Sequence, residues 1–336
     1  MRTAAARGVF LVFASLALAS LLNAEGLRKT ADIQPPGLKR TVAMEVTGVL
    51  ARVSHELYLD RPRHALLTAV GRGNEDTIDD TVHLSVPALT VAPRPVRRPV
   101  PRPNTKTRPT FTTAKPLRVW VAGDSLAAIP GQALERLAGT GGAVDVLSVE
   151  SKLSTGLGRP DLYNWFTRLR EVARQLHPNV VVLSFGADDA HNYLSGVPAG
   201  KTIGPLGSAS WDAEYRRRVD GVTRELNADG IYVIWLGTPI PRGSGFHHSF
   251  QIVNSVIRSV VRAHPTTSAY VDEWGLLSDS RHKYSDYLPD ADGNLILMRA
   301  PDGVHLEPAA GDLIAHVVLG RLARAFDLRD SAPSRA

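Results

Sequence analysis

From Leu117 onward the sequence predicts an α/β fold, a parallel sheet with helices on both faces, preceded by a membrane anchor and a short helical segment. Three observations predict it. The runs "LRVWVA", "VDVLSV", "VVVLSF", "IYVIWLG" and "SAYVD" are too continuously apolar to keep a solvated face, as expected of strands buried on both sides. Between them, "GQALERLA", "WFTRLREVARQL", "WDAEYRRRVDGVTRELNADG" and "HSFQIVNSVIRSVVRAH" carry the spacing of amphipathic helices. Strand and helix alternate throughout, and that alternation builds a parallel sheet covered on both faces.

The elements before this domain are read from the N-terminus. Arg2 and Arg7 precede an uncharged apolar run from Gly8 to Leu22, whose fifteen residues fall short of the roughly 20 of a bilayer span and match the apolar core of a signal peptide. Cleavage after Ala24 would put Leu22 at the -3 position, a poor small-x-small site. Residues 1–24 are therefore read as an uncleaved signal anchor in preference to a cleaved signal peptide, with the basic flank in the cytoplasm and the rest of the chain exported. In the 25–85 segment, Val42, Val46, Val49, Leu50, Val53 and Leu57 recur at helical spacing, which predicts one or two membrane-proximal helices.

Residues 86–116 are expected to be a linker. The stretch from Thr90 to Pro116 carries seven prolines and no apolar periodicity, the composition of an extended spacer that buries too little to fold. Between Thr81 and Pro116 there are seven Lys or Arg and no Asp or Glu, so removing those charges from the net +6 leaves the rest of the chain at -1. This segment is either a solvated tether or a cationic one that lies along lipid headgroups or cell-wall polymers. Nucleic acid is not an expected partner, because no aromatic or base-reading residues are interleaved with the basic ones. Residues 331–336 are expected to be a disordered tail.

Composition limits the chemistry. The 336 residues hold no cysteine, which excludes structural disulfides, zinc-thiolate sites and thiol catalysis. With 43% hydrophobic and 21% charged residues, the composition is that of an ordinary globular protein. Functional residues of a parallel α/β sheet lie beyond the C-terminal ends of its strands, so the polar residues there are the candidates.

After the first strand comes "VAGDSLA", which sets Ser125 at a strand-to-helix turn near helix N-terminal amides that favour negative charge. A serine there is either a helix cap or a nucleophile. Near the end, "RAPDGVHLEP" places Asp302 and His305 three residues apart ahead of a helix that begins at Pro308. Alone the pair reads as a surface turn with a capping aspartate. With Ser125 it supplies the base and orienting carboxylate that a serine nucleophile needs.

"GDS" after strand one, a "GxxD" loop after strand three and "DxxH" in the last loop, in that order, resemble the SGNH or GDSL hydrolase family over Leu117 to about Asp330. "KLSTGLGRPDLYNW" and the leading anchor look like its exported branch, a domain of unknown function related to SGNH domains of membrane acyltransferases that modify cell-envelope sugars. The resemblance implies a flavodoxin-like α/β/α sandwich over 117–330 and hydrolysis or transfer of O-acyl groups without metal or cofactor. It makes Ser125 the nucleophile, His305 the base and Asp302 its orienting acid. Oxyanion donors would be the amides of Ser125 and Gly156. An acylated carbohydrate or other ester is the implied substrate, and a membrane acyltransferase an implied partner.

The third oxyanion donor of the family is an asparagine in a "GxND" loop, where this chain reads "GADD". Asp188 thus stands at the amide position, and Asp189 at the family's aspartate. An ionised Asp188 would oppose the oxyanion, whereas a protonated one could donate to it if its pKa rose well above the usual ~3.9. Asn192 is an alternative amide. Lys152 and Arg159 either contact substrate or form structural pairs. His247 and His248 are adjacent, so they point apart and read as surface or substrate-lining rather than metal-binding; His264 and His316 read as helix-surface or packing residues.

Overall fold

The computed structural model describes residues 2–73, 76–84, 108–139, 141–198 and 200–329 and divides into two units, Met1–Asp79 and Asp80–Ala336. The first contains α1 (Arg2–Leu22), α2 (Ala24–Asp32), α3 (Leu38–Glu56) and α4 (Arg61–Ala69). The uncharged run of the expected anchor lies wholly within α1. At about 1.5 Å per residue it would cover about 22 Å, against a hydrocarbon core of about 30 Å. Among the described residues no single helix is long and apolar enough to cross a membrane; Ala6–Leu22 and Ala24–Asp32 satisfy that test only together, across a 73° bend. The periodic segment from Val42 forms one helix, α3, held to α1 by the Ser54 hydroxyl donating to the Leu21 carbonyl at 2.7 Å. Its stripe of Val42, Val46, Val49 and Val53 lies exposed.

The second unit runs β1 (Thr110–Thr112), β2 (Leu117–Gly123), α5 (Ala128–Ala138), β3 (Val144–Ser151), α6 (Trp165–Leu176), β4 (Val180–Ser184), α7 (Ala209–Ala228), β5 (Tyr232–Leu236) and α8 (Ser244–Ala263). It continues through β6 (Ser268–Val271), α9 (Glu273–Leu276), β7 (Tyr287–Pro289), β8 (Leu295–Leu297), α10 (Pro308–Ala325) and β9 (Asp327–Arg329). The five strands expected from the apolar runs form one parallel sheet in the order β3-β2-β4-β5-β6. This is the order of a flavodoxin-like sandwich, whose topological switch point lies between β2 and β4.

The two-sided burial read from the sequence is formed residue by residue. Val119 and Val121 of β2 face one core with Leu134 of α5 and Ile314 and Val318 of α10, while Trp120 and Ala122 face another with Trp165, Val219, Val253 and Ile257 of α6 to α8. β4 and β5 alternate likewise, with Val181, Leu183, Val233 and Trp235 on one side and Val180, Val182, Ile234 and Leu236 on the other. After β3 successive strands are added on the other side of β2, and right-handed crossovers then carry α6 to α8 to the face opposite α5.

The domain begins earlier than the expected Leu117. Most of the expected linker and the tail at 331–336 lie outside the described residues, but β1 falls inside the linker range and pairs in parallel with β9. The reason is apolar: Phe111 is buried and meets Phe326 edge-on at a centroid distance of 5.5 Å. Upstream, the Thr81 carbonyl accepts from Asn164 Nδ2 at 3.0 Å, and Leu84 fills the space over Gly221. Phe111→Ala should therefore destabilise the domain by about 3 kcal/mol through the cavity it opens. Urea unfolding checks this; an unchanged midpoint would mean that β1 is dispensable.

Candidate active site

The site is built on the turn after β2. A Cβ at Gly123 would be driven into the Ser184 carbonyl of β4, so only glycine lets the two strands run this close at the turn. Asp124 follows, fully buried, its amide donating to the Ser184 carbonyl at 2.9 Å. Its Oδ1 accepts from the Leu126 amide at 2.9 Å, and its Oδ2 accepts from the Gly186 and Ala187 amides at 3.2 Å. Asp124 thereby caps the short turn Ser125–Ala127 that leads into α5 and ties it to the loop after β4. Ser125 is left half-buried at the switch point of the sheet.

The loop before α10 brings the partners. His305 Nε2 lies 2.7 Å from Ser125 Oγ, and His305 Nδ1 lies 2.5 Å from Asp302 Oδ2. Asp302 Oδ1 accepts from the amides of Val304 and His305 at 2.8 and 2.9 Å, which fixes the carboxyl group against the ring. The three residues predicted from two distant motifs thus form one hydrogen-bonded chain. Both side chains are open to solvent, at 42% for His305 and 50% for Asp302.

The loop after β3 runs beside this chain. Ser154 takes a left-handed backbone with φ 57°, uncommon for a residue with a Cβ. A Cβ at Gly156 would collide with the Asp189 carboxyl, so glycine is required there. Among the described residues neither the Ser125 amide nor the Gly156 amide has an acceptor. Asp189 is buried and holds this loop through the amides of Leu157 at 3.2 Å and Gly158 at 2.6 Å, while accepting from the Tyr215 hydroxyl at 2.7 Å.

The remaining expected site residues divide. Arg159 is engaged bidentately with Asp161 at 2.7 and 2.9 Å and lies over the Tyr193 ring, so it braces the loop. Asn192 is exposed, and its Oδ1 accepts from the Leu206 amide at 3.0 Å. That turns it toward its own loop; no hydrogen bond links it to the Ser125–His305 chain. Lys152 is exposed, its Nζ 5.4 Å from the Tyr163 ring centroid. His247 packs edge-on against Trp274, and His264 pairs with Asp220 at 2.7 Å.

Residues 118–321 match the family model described as protein of unknown function DUF459. The chain belongs to that family. The residues on which the resemblance to SGNH hydrolases rests, Ser125, Asp302 and His305, come together in one site. Several solved structures are similar to the chain at low identity. A lipase/acylhydrolase from Enterococcus faecalis is 17% identical, with 64% of this chain and 98% of that chain covered and a TM-score of 0.44. A GDSL-like lipase from Bacteroides thetaiotaomicron is 15% identical over 62% and 89%, also with a TM-score of 0.44. A psychrotrophic esterase from Pseudoalteromonas sp. is 13% identical over 62% and 97%, with a TM-score of 0.41. No curated protein matches the chain.

Two sets of residues that position the site of this DUF459 domain escaped the sequence reading. Arg299 is almost fully buried, and its guanidinium donates to the carbonyls of Ile240 at 2.6 Å, Val304 at 2.9 Å and Gly303 at 3.2 Å, with His305 at 3.4 Å. It holds the loop that carries Asp302 and His305 from beneath, and Arg242 grips the same loop at the Pro301 carbonyl. On α7, Arg218 is paired with Glu214 at 2.8 Å and donates to the carbonyls of Leu157 and Ser195 at 2.8 and 2.6 Å. The signal was the spacing of Glu214 and Arg218, one helical turn apart beside core residues Tyr215, Val219 and Val222.

Electrostatics sharpen the Asp188 departure in this domain. Burial pushes its carboxyl above the ordinary carboxylate value, while positive charge on His191 and His305 and the nearby Ser154 amide pull it back. Burial likewise pushes Asp124 well up, and the charge of Asp188 adds to that.

Asp302 moves the other way. Burial works against its anion, but the His305 ring and the amides of Val304 and His305 outweigh it and hold the carboxyl at about 2, against an ordinary 3.8. A folded value below the unfolded one gives stabilisation that is complete above the unfolded pKa and lost as pH falls through the folded one. The stability advantage of wild type over Asp302→Asn should therefore be constant above about pH 5 and vanish toward about pH 2. Chemical unfolding across that range reads it; an advantage still present at the acid end would contradict the assignment.

Proposed function

We propose that this chain is an exported serine esterase or O-acyltransferase acting on acyl esters, acetyl among them, of cell-envelope glycans. The observation that carries the proposal is the continuous chain from Ser125 Oγ through His305 to Asp302. In this reading His305 Nε2 takes the Ser125 proton as Oγ bonds to the ester carbonyl carbon. Asp302 stabilises the imidazolium that results, and the amides of Ser125 and Gly156 receive the oxyanion. His305 then gives the proton to the departing sugar oxygen as the carbon-oxygen bond breaks, leaving an acyl-Ser125. Water, or a second sugar hydroxyl, attacks that ester with His305 again as base, and the bond from the acyl carbon to Ser125 Oγ breaks as His305 returns the proton to Oγ.

A carbohydrate substrate is supported by the openness of the site, since half-exposed His305 and Asp302 leave room for a large polar acyl carrier. Lys152, exposed on the loop after β3, is the candidate contact to it. Export and a single N-terminal anchor are supported by the two arginines ahead of the Gly8–Leu22 run. The specific observation for a second reading is Asp188, because a carboxylate at the amide position would leave a glycan-binding or scaffold domain with weak or no turnover.

The two readings separate on substitution. Ser125→Ala and His305→Ala should each lower hydrolysis of a p-nitrophenyl acetate or O-acetyl-xylan substrate by about 10⁴-fold or more, and Ser125→Ala should abolish fluorophosphonate labelling. Equal rates and labelling in all three proteins would refute a serine mechanism.

Asp188→Asn should raise the rate, by about 10² where the wild-type carboxyl is ionised and by less at acid pH where it is protonated and donates. A pH-rate comparison of the two proteins measures this. Parallel profiles would show that Asp188 takes no part in oxyanion binding.

A further inference from the structure

A second concave site lies at the end of the sheet opposite Ser125. It is a cleft of about 720 Å³ beside the first residues of β5 and β6, lined by Tyr232, Ser268 and Ala269 and flanked by α8 and α10. Its volume is in the range of small-molecule sites, about 300 to 1,000 Å³. Four guanidinium groups line it, Arg258 and Arg262 from α8 and Arg321 and Arg324 from α10, and no Asp or Glu does.

The charge there is not balanced from within. Arg258 bonds Asp272 at 3.3 Å and lies over the Tyr270 ring, whereas Arg262, Arg321 and Arg324 form no ion pair among the described residues. Arg108, next to the lining residue Pro109, adds a fifth cation nearby by donating to the carbonyls of Ala323 and Arg324 at 3.1 and 3.2 Å. Arginines in the last turn of a helix complement its dipole, which accounts for Arg262 and Arg324 singly. It does not account for Arg258 and Arg321, which repeat the charge one turn earlier on the same two helices. Like charges at such spacing repel, and an anion in the cleft would relieve that repulsion.

The rest of the lining describes the body of that anion. Ile231, Val261, Tyr232 and Phe326 are apolar or aromatic, and the Tyr232 and Phe326 rings meet edge-on at 5.6 Å. Asn227 lines the same cleft, and both its side-chain oxygen and nitrogen are buried without a hydrogen-bond partner among the described residues. The Pro/Arg-rich segment before β1 is excluded as occupant by its like charge. Guanidinium forks bind phosphate oxygens bidentately, and a cleft lined by two of them from each of two helices matches the charge of two linked phosphates.

We infer that this cleft binds a diphosphate ester of a ring-bearing molecule, a nucleoside or sugar diphosphate in class. The phosphates lie among Arg258, Arg262, Arg321 and Arg324, and the ring body lies toward Tyr232, Phe326 and the Asn227 amide. The site is independent of the chemistry at Ser125.

The test is isothermal titration of the full chain in detergent with inorganic pyrophosphate and with uridine diphosphate. One equivalent of either should bind, uridine diphosphate the tighter by about tenfold. Arg321→Gln/Arg324→Gln should weaken both by about tenfold or more, and Arg262→Gln on the other helix should repeat the loss. Ser125-dependent ester hydrolysis and thermal unfolding should match wild type in these variants. Arg97→Gln/Arg98→Gln, which removes charge from the Pro/Arg-rich segment, should leave binding unchanged. The inference is overturned if neither probe binds at millimolar concentration, if the cleft variants bind like wild type, or if the Arg97/Arg98 variant alone loses binding. Equal affinity for the two probes would overturn the ring-binding half of it.

Discussion

Backbone groups of loops that turn inward have to be hydrogen-bonded, and in this protein buried charged side chains bond them. An inward amide or carbonyl left alone costs about 1 to 3 kcal/mol, so one charged group that satisfies several of them fixes a loop in a single conformation. Asp124 takes the amides of Leu126, Gly186 and Ala187, and Asp189 takes those of Leu157 and Gly158. Arg218 and Arg299 do the same for carbonyls, at Leu157 and Ser195 and at Ile240, Gly303 and Val304. The loops after β2, β3, β4 and β8 are thereby referenced to the sheet and to α7, and Ser125, Gly156 and His305 inherit their positions. A hydroxyl-to-imidazole distance of 2.7 Å on open loops depends on this bracing.

The same principle explains what the sequence revealed. The sheet was legible because the strand interiors at 119–122, 180–183 and 233–236 are apolar throughout, and burial on both sides leaves a plain mark in composition. Ser125, Asp302 and His305 were legible because the chemistry demands particular residue types at particular turns. Arg299 was not, since a lone arginine beside the Asp302–His305 loop reads as a surface cation until its carbonyl partners are in place. Arg159 stayed open between substrate contact and structural pairing for the converse reason: its partner Asp161 stands two residues away, and short-range pairing looks the same in sequence as a free cation. The start of the domain was obscured because β1 is three residues long, and only the remote Phe326 shows that Phe111 is a core residue.

In the acyl transfer proposed above, Asp188 is understood through the charge that moves. Two charges appear together, a cation on His305 and an anion on the ester oxygen. An ionised Asp188 near both stabilises the first and opposes the second, whereas a protonated one can donate to the anion and leaves the imidazolium to Asp302. Asp302 is already bonded to the ring at 2.5 Å, so a second carboxylate adds little to the cation that Asp302 does not supply. The oxyanion has no comparable surplus, since its other donors are two neutral backbone amides. The neutral acid is therefore the productive form. Burial presses Asp188 in that direction, while His191, His305 and the Ser154 amide press it toward the anion. In the proposed reaction, the balance among burial, His191, His305 and the Ser154 amide sets how far Asp188 can assist the oxyanion.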